Sequence, residues 1–185
     1  RVLVACAALS LVPAGLRAQD PRDTVRLREI VVTATRLPTP REDVASAVTV
    51  LDGATLRARG VTRVLDALRE TPGIAVVQSG TSGAVASLFM RGGESDYVRV
   101  LVDGVPVNQP GGAVNLADLS LDNVDRIEVV RGPASVLYGS DAVAGVVQIF
   151  TRRGGGAASL RSAVRAGSYG TRLGEVSLEG GRGPL

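Results

Sequence analysis

The chain has 185 residues, 21 basic side chains against 18 acidic ones, no histidine and one cysteine, Cys6. That length suits a single domain with its own core. The missing imidazole excludes histidine-activated nucleophiles, histidine-ligated zinc and most acid–base designs that work near neutral pH, and a lone thiol excludes a disulfide within the chain.

Residues 2–16 are apolar but broken by Ser10 and Pro13, too short for the roughly 20 residues of a spanning helix. They read as the hydrophobic part of a secretory signal occupying residues 1–18, with Ala18 as the small residue before cleavage. Leu3-Val4-Ala5-Cys6 also has the look of a lipoprotein cleavage box, but the apolar run continues past Cys6, as a signal region does. With no Met at Arg1 and a glycine-rich turn just before Leu185, the chain is expected to be cut at both ends.

Residues 19–28 are polar, aperiodic and expected to be mobile. Residues 29–35, EIVVTAT, then place four β-branched side chains in a row before Leu37-Pro38-Thr39-Pro40 ends any ladder. A strand-former between a loose lead and a proline break is an unpaired edge, normally an aggregation liability. A partner that supplies the missing strand explains it; the other reading is the first strand of the domain's own sheet.

Residues 48–51 read as a strand. Asp52 is placed to cap a short helix over 54–59 that Gly60 ends, and Thr62 to cap the next, where Val61, Val64, Leu65 and Leu68 fall at helical spacing before Pro72-Gly73. Strands are expected over 74–78, 87–91 and 97–102, with polar linkers at 78–83 and 92–96, a turn at Asp103-Gly104 and a polar Gly/Pro-rich loop over 107–115. After a strand over 126–131, Gly132-Pro133 opens a helical turn that Gly139 stops. Residues 145–151 are β-branched and apolar on both faces, as a covered strand must be. Short strands interleaved with short helices indicate an α+β domain. Beyond residues 154–156 the texture changes: Ser159, Arg161, Ala163 and Arg165 alternate with Leu160, Ser162, Val164 and Ala166, and Val176 and Leu178 alternate with Glu175, Ser177 and Glu179. Such a dyad suits membrane barrel strands or a surface hairpin of a soluble sheet.

Catalytic chemistry has no residues to stand on. Gly139-Ser140-Asp141 lacks the spacing of a nucleophile elbow, and no phosphate-loop, dinucleotide or EF-hand pattern occurs. Asp122, Asp125 and Glu128 read as a capped turn, with Asp125 and Glu128 facing solvent or an arginine. No enzyme activity, cofactor or metal is expected. All 21 basic residues are arginine; 15 of them face 16 acids up to Phe150, and 6 face 2 beyond it. The surplus therefore lies in the tail, and with two Phe and three Tyr to stack bases, no nucleic-acid partner is expected.

The order and wording of EIVVTAT, VTVLDG, VLDALRETPGIAV, FMRGG, VLVDGVPVN, VDRIEVVRGP and RGPASVLYGSDAVAGVVQIFTRR resemble the plug domain of TonB-dependent outer-membrane receptors, and within that family cobalamin receptors most. Ala144 stands where a second glycine is usual and Gln148 where asparagine is usual. The resemblance implies a mobile segment over 19–40, a plug over 41–153, and the first strands of a 22-stranded barrel over 154–185. It implies a TonB box at Glu29, Ile30, Val31, Val32, Thr33, Ala34 and Thr35 that pairs with the TonB C-terminal domain. Ligand contacts are then expected from apical loops at Gln78, Ser79, Thr81 and Ser82 and at Asn108, Gln109, Gly111 and Gly112, and plug–barrel docking from Arg91 and Arg131. The implied function is import of cobalamin across the outer membrane, with the barrel in contact with lipid. A ferric-siderophore receptor of the same architecture and a free-standing periplasmic interaction domain are the other readings.

Overall fold

The computed structural model describes residues 30–80, 84–110, 114–116, 119–154 and 156–181. The expected secretory signal, Cys6, Glu29, Thr81, Ser82, Gly111 and Gly112 lie outside them. In chain order the elements are β1 (Ile30–Val31), β2 (Thr39–Pro40), β3 (Ala47–Asp52), α1 (Gly53–Ala58), α2 (Val64–Arg69), β4 (Ile74–Gln78), β5 (Ala86–Met90), β6 (Val98–Val102), β7 (Val105–Pro106), β8 (Val124–Arg131), α3 (Ser135–Tyr138), β9 (Gly145–Thr151), β10 (Gly156–Ala166) and β11 (Arg172–Gly181). This is the α+β pattern of the sequence.

The two strands richest in β-branched residues, β8 and β9, take the middle of a five-stranded sheet ordered β3-β8-β9-β6-β7. The β6–β9 pair is parallel and the others antiparallel. Alternation divides the sheet cleanly. Ile127, Val129, Val147, Ile149 and Val100 join Val64, Leu65 and Leu68 of α2 and the inner residues of the separate β4–β5 hairpin in the main core. Val48 and Val130 point the other way, toward Val31, and Leu101 and Val146 toward Ala142. Both faces are thus covered, which is why the central strands read as continuous apolar runs.

Local chemistry sets the joints. Asp52 caps α1 as expected, accepting from the Thr55 amide at 2.6 Å. Thr62 does not cap α2: Arg63 occupies that place without a side-chain bond, and the Thr62 carbonyl accepts from Leu121 at 2.9 Å, so the helix start is held by a neighbouring loop. Asp103 and Gly104 both have positive φ, 48° and 85°, the requirement of a tight hairpin turn. The Asp103 carboxylate accepts from the amide and hydroxyl of Thr151 at 2.9 and 2.6 Å, fastening that turn to the end of β9.

Immediately after β9 the chain enters the β10–β11 hairpin, in register from Ser159↔Glu179 to Ala166↔Arg172. Its strands have 11 and 10 residues, matching the roughly 9–11 of a tilted membrane strand. Among the described residues no helix is long and apolar enough to cross a membrane, which says nothing of a barrel.

Candidate functional site

Residues 30–36 do not form the open edge that the sequence suggests. Ile30 and Val31 pair with Pro40 and Thr39, so the chain folds back through the prolines, and Pro40 sits at the end of a two-residue ladder where its missing donor costs least. Val31 is fully buried against Val48 and Val130. The amides of Val32 and Thr33 both donate to Glu128 Oε2, at 2.9 and 2.8 Å. Arg126 Nε donates to Oε1 of the same carboxylate at 2.9 Å. The Tyr138 hydroxyl donates to the Thr33 carbonyl at 2.9 Å, and the Arg36 guanidinium lies over the Tyr138 ring, 4.6 Å from its centroid. Burial, outweighing Arg36, pushes the Tyr138 hydroxyl above its usual range, so it stays a donor. The segment is docked on the second face of the sheet.

Glu128 corrects the sequence reading. An arginine does face it, but solvent does not: it is 0% exposed, because alternation with Val130 puts it on the face that residues 31–34 cover. A signal was available, since an acid inside a strand apolar on both faces must be buried and must find donors.

The two apical segments meet. Gln78 pairs with Ala86 where β4 ends and β5 begins, and Val114, from the second segment, bridges to the same Ala86. Two expected ligand side chains also serve the fold. Gln78 accepts from Arg69 at 2.7 Å and donates to the Ala84 carbonyl at 3.0 Å. Asn108 accepts from the Val100 amide at 2.7 Å and donates to the Val98 carbonyl at 2.9 Å, standing in for a strand beside β6. Ser79 and Gln109 are exposed, and Gln109 lines a cleft with Asp96, Tyr97, Ser140 and Asp141.

Arg91, with φ 53°, and Arg131 come together at one end of the sheet. Arg131 Nε donates to the Pro72 carbonyl at 2.8 Å. Burial first, then the Arg91 charge, lowers the affinity of Arg131 for its proton. Neither meets a carboxylate among the described residues.

The hairpin has two unlike faces. Leu160, Val164, Val176 and Leu178 form an exposed apolar stripe. On the other face Arg165 reaches Asp122 at 3.2 Å and Glu175 at 2.7 Å, and Glu179 reaches Arg152 at 2.9 Å, turning the charged side toward the domain.

Residues 40–146 match the sequence model of the TonB-dependent Receptor Plug Domain. The chain is 39% identical over 150 residues to the vitamin B12 transporter BtuB of Vibrio vulnificus (strain CMCP6), covering 80% of this chain and 24% of that protein. It therefore spans about a quarter of the length of this curated relative. Among solved structures it is similar to the ferric yersiniabactin uptake receptor FyuA from Yersinia pestis, at 25% identity and TM-score 0.59, covering 74% of this chain and 22% of that one. It is also similar to the siderophore receptor PiuA from Acinetobacter baumannii, at 25% identity and TM-score 0.60, covering 76% and 19%. The ferripyoverdine receptor of the outer membrane of Pseudomonas aeruginosa shares the fold, with TM-score 0.68 at 21% identity over 82% and 20% of the two chains.

Proposed function

We propose, because this chain belongs to the TonB-dependent receptor plug family, that it is the N-terminal part of an outer-membrane receptor that imports cobalamin. Residues 19–40 carry the TonB box, 41–153 the plug, and 154–185 the start of the barrel, after a signal over 1–18. The observation that carries the reading is the hairpin behind β9: membrane-length strands, apolar outside and charged toward the plug. A free-standing periplasmic domain would leave that stripe in water; lipid covers it. The relative named for vitamin B12 supports cobalamin. The likeness to FyuA and PiuA supports a second reading, a ferric siderophore.

In this scheme TonB adds a strand to residues 30–34 through main-chain bonds, Arg91 and Arg131 meet carboxylates on the barrel wall, and ligand rests on the two joined apices, with Ser79 and Gln109 foremost. Uptake of labelled cobalamin and of a ferric siderophore by cells carrying the full-length receptor tests it. Val32→Pro, which removes a donor and fixes φ, is expected to abolish uptake while surface binding of the nutrient persists; trimming residues 109–112 is expected to weaken binding with receptor abundance unchanged. Normal uptake in Val32→Pro cells would refute the box assignment, and uptake of the siderophore alone would replace cobalamin.

A further inference from the structure

We infer that Tyr169 and Arg172, at the tip of the β10–β11 hairpin, form an anchoring site for the phosphate of an anionic lipid headgroup at one margin of the membrane. The inference rests on the reading of this hairpin as the start of a membrane barrel. Side chains of directly paired strand residues lie on one face. The register Leu160↔Leu178, Ser162↔Val176, Val164↔Gly174 and Ala166↔Arg172 therefore lays out, rung by rung, the face turned away from the domain. The first three of these rungs carry no charge; the last, beside the tip, carries Arg172. A charge on the lipid side of a barrel is costly at the bilayer midplane and tolerated at the interface. Strands of 11 and 10 residues cross the hydrocarbon band once, so the last rung falls at its margin.

The tip presents an aromatic ring at that same margin. Residues 167–171 close on themselves: the Gly167 amide donates to the Thr171 carbonyl at 2.9 Å, and the Thr171 amide and hydroxyl donate to the Ser168 carbonyl at 3.2 and 2.9 Å. The turn holds Tyr169 at φ 57°, a left-handed conformation that glycine adopts with less strain. Its side chain is nevertheless fully exposed, so nothing in the described fold offsets the strain or covers the ring. A phenol suits a membrane interface, where the ring meets acyl chains and the hydroxyl meets headgroups. Arg172 is exposed and forms no ion pair among the described residues. Glu175, three residues on, belongs to the inward face, where Arg165 engages it together with Asp122. The Arg172 guanidinium is thus left to take an oxyanion in its fork of donors. The nutrient contacts proposed above lie on the plug apices, and the outward face of the hairpin is turned from the plug, which makes lipid the occupant of this site.

The test titrates short-chain phosphatidylglycerol into the full-length receptor held in neutral maltoside micelles and reads the amide signals of Gly170 and Arg172, which are expected to shift saturably. Arg172→Gln is expected to weaken this binding about tenfold through its lost charge-assisted pair. Tyr169→Phe keeps the ring and is expected to weaken it about threefold through its lost hydroxyl. Arg161→Gln, on the inward face, is expected to leave it unchanged, and the amide signals of Val129 and Val147 report that each variant keeps its fold. Phosphatidylcholine, whose own ammonium neutralises its phosphate, is expected to bind more weakly, and inorganic phosphate, with no chain to seat beside the ring, more weakly still. Equal weakening by Arg172→Gln and Arg161→Gln overturns the inference, as does equal binding of the two lipids. Nutrient affinity that falls in Tyr169→Phe while lipid binding stays unaltered also overturns it, in favour of a nutrient contact at the tip. If a water-soluble paramagnetic agent broadens Val176 and Leu178 as strongly as Ser168, no lipid covers the outward face; the barrel reading itself then falls, and the inference with it.

Discussion

Arginine in place of Val176 separates a lipid-facing hairpin from a water-facing one. Val176 lies midway along β11, 76% exposed, beside Leu178 and across from Ser162. Covering a valine side chain completely is worth about 1.5 kcal/mol, so the exposed part of Val176 contributes about 1 kcal/mol when lipid covers it. An arginine at the bilayer midplane costs about 2–4 kcal/mol, so Val176→Arg is expected to destabilise the folded receptor by about 3–5 kcal/mol. On the surface of a soluble hairpin the same change stays within about 0.5 kcal/mol. Ser177→Glu is the control: it adds a charge one residue away, on the inward face and opposite Arg161, and is expected to cost less than about 0.5 kcal/mol. The assay is guanidinium titration of the full-length receptor refolded into phosphatidylcholine vesicles. Equal costs for the two variants would refute the orientation of the hairpin.

Two further predictions concern the plug in the same receptor. A methyl group at Gly145 would run into Met90 Sδ and the Val130 carbonyl, and the carbonyl cannot move without breaking the β8–β9 ladder; Gly145→Ala should cost about 1–3 kcal/mol, read as faster amide exchange along β9, and unchanged exchange would refute the packing argument. Asp52→Ala should cost about 1 kcal/mol of α1 stability, seen at the Thr55 amide. Hydrogen bonds from the Thr55 side chain and amide hold the Asp52 carboxyl below its usual range. Its contribution is therefore complete above the ordinary aspartate value of about 3.9 and lost as the pH falls through the lowered value. Thr55 protection that declined between pH 7 and pH 5 would contradict this.

Much of the fold was legible because its signals are local. β4 and β9 run over the residues that β-branched density and flanking Gly and Pro delimit, and the Asp103-Gly104 turn follows from the two residue types. What escaped are partnerships set by distant chain. Glu128 meets Val32 and Thr33 across 96 and 95 residues, and no spacing rule reaches that far. Gln78 and Asn108 looked like ligand groups because polar residues in Gly-rich loops generally face solvent; only the structure reveals the neighbouring backbone that takes their amides. The start of α2 is likewise set by distant chain: the Val64 amide donates to the Leu119 carbonyl and the Leu121 amide to the Thr62 carbonyl, and the cap position falls at Arg63 instead of Thr62.

The strand order carries a mechanical consequence. A load applied at Ile30 first meets side-chain bonds and a two-residue ladder, contacts that rupture one at a time. The next structure in line is β3, an edge strand held on one side only, by six register pairs to β8. Peeling β3 away leaves β8 still paired to β9, and β9 to β6. Tension therefore dismantles the domain from its N-terminal margin inward, with the centre of the sheet as the last part to feel the pull.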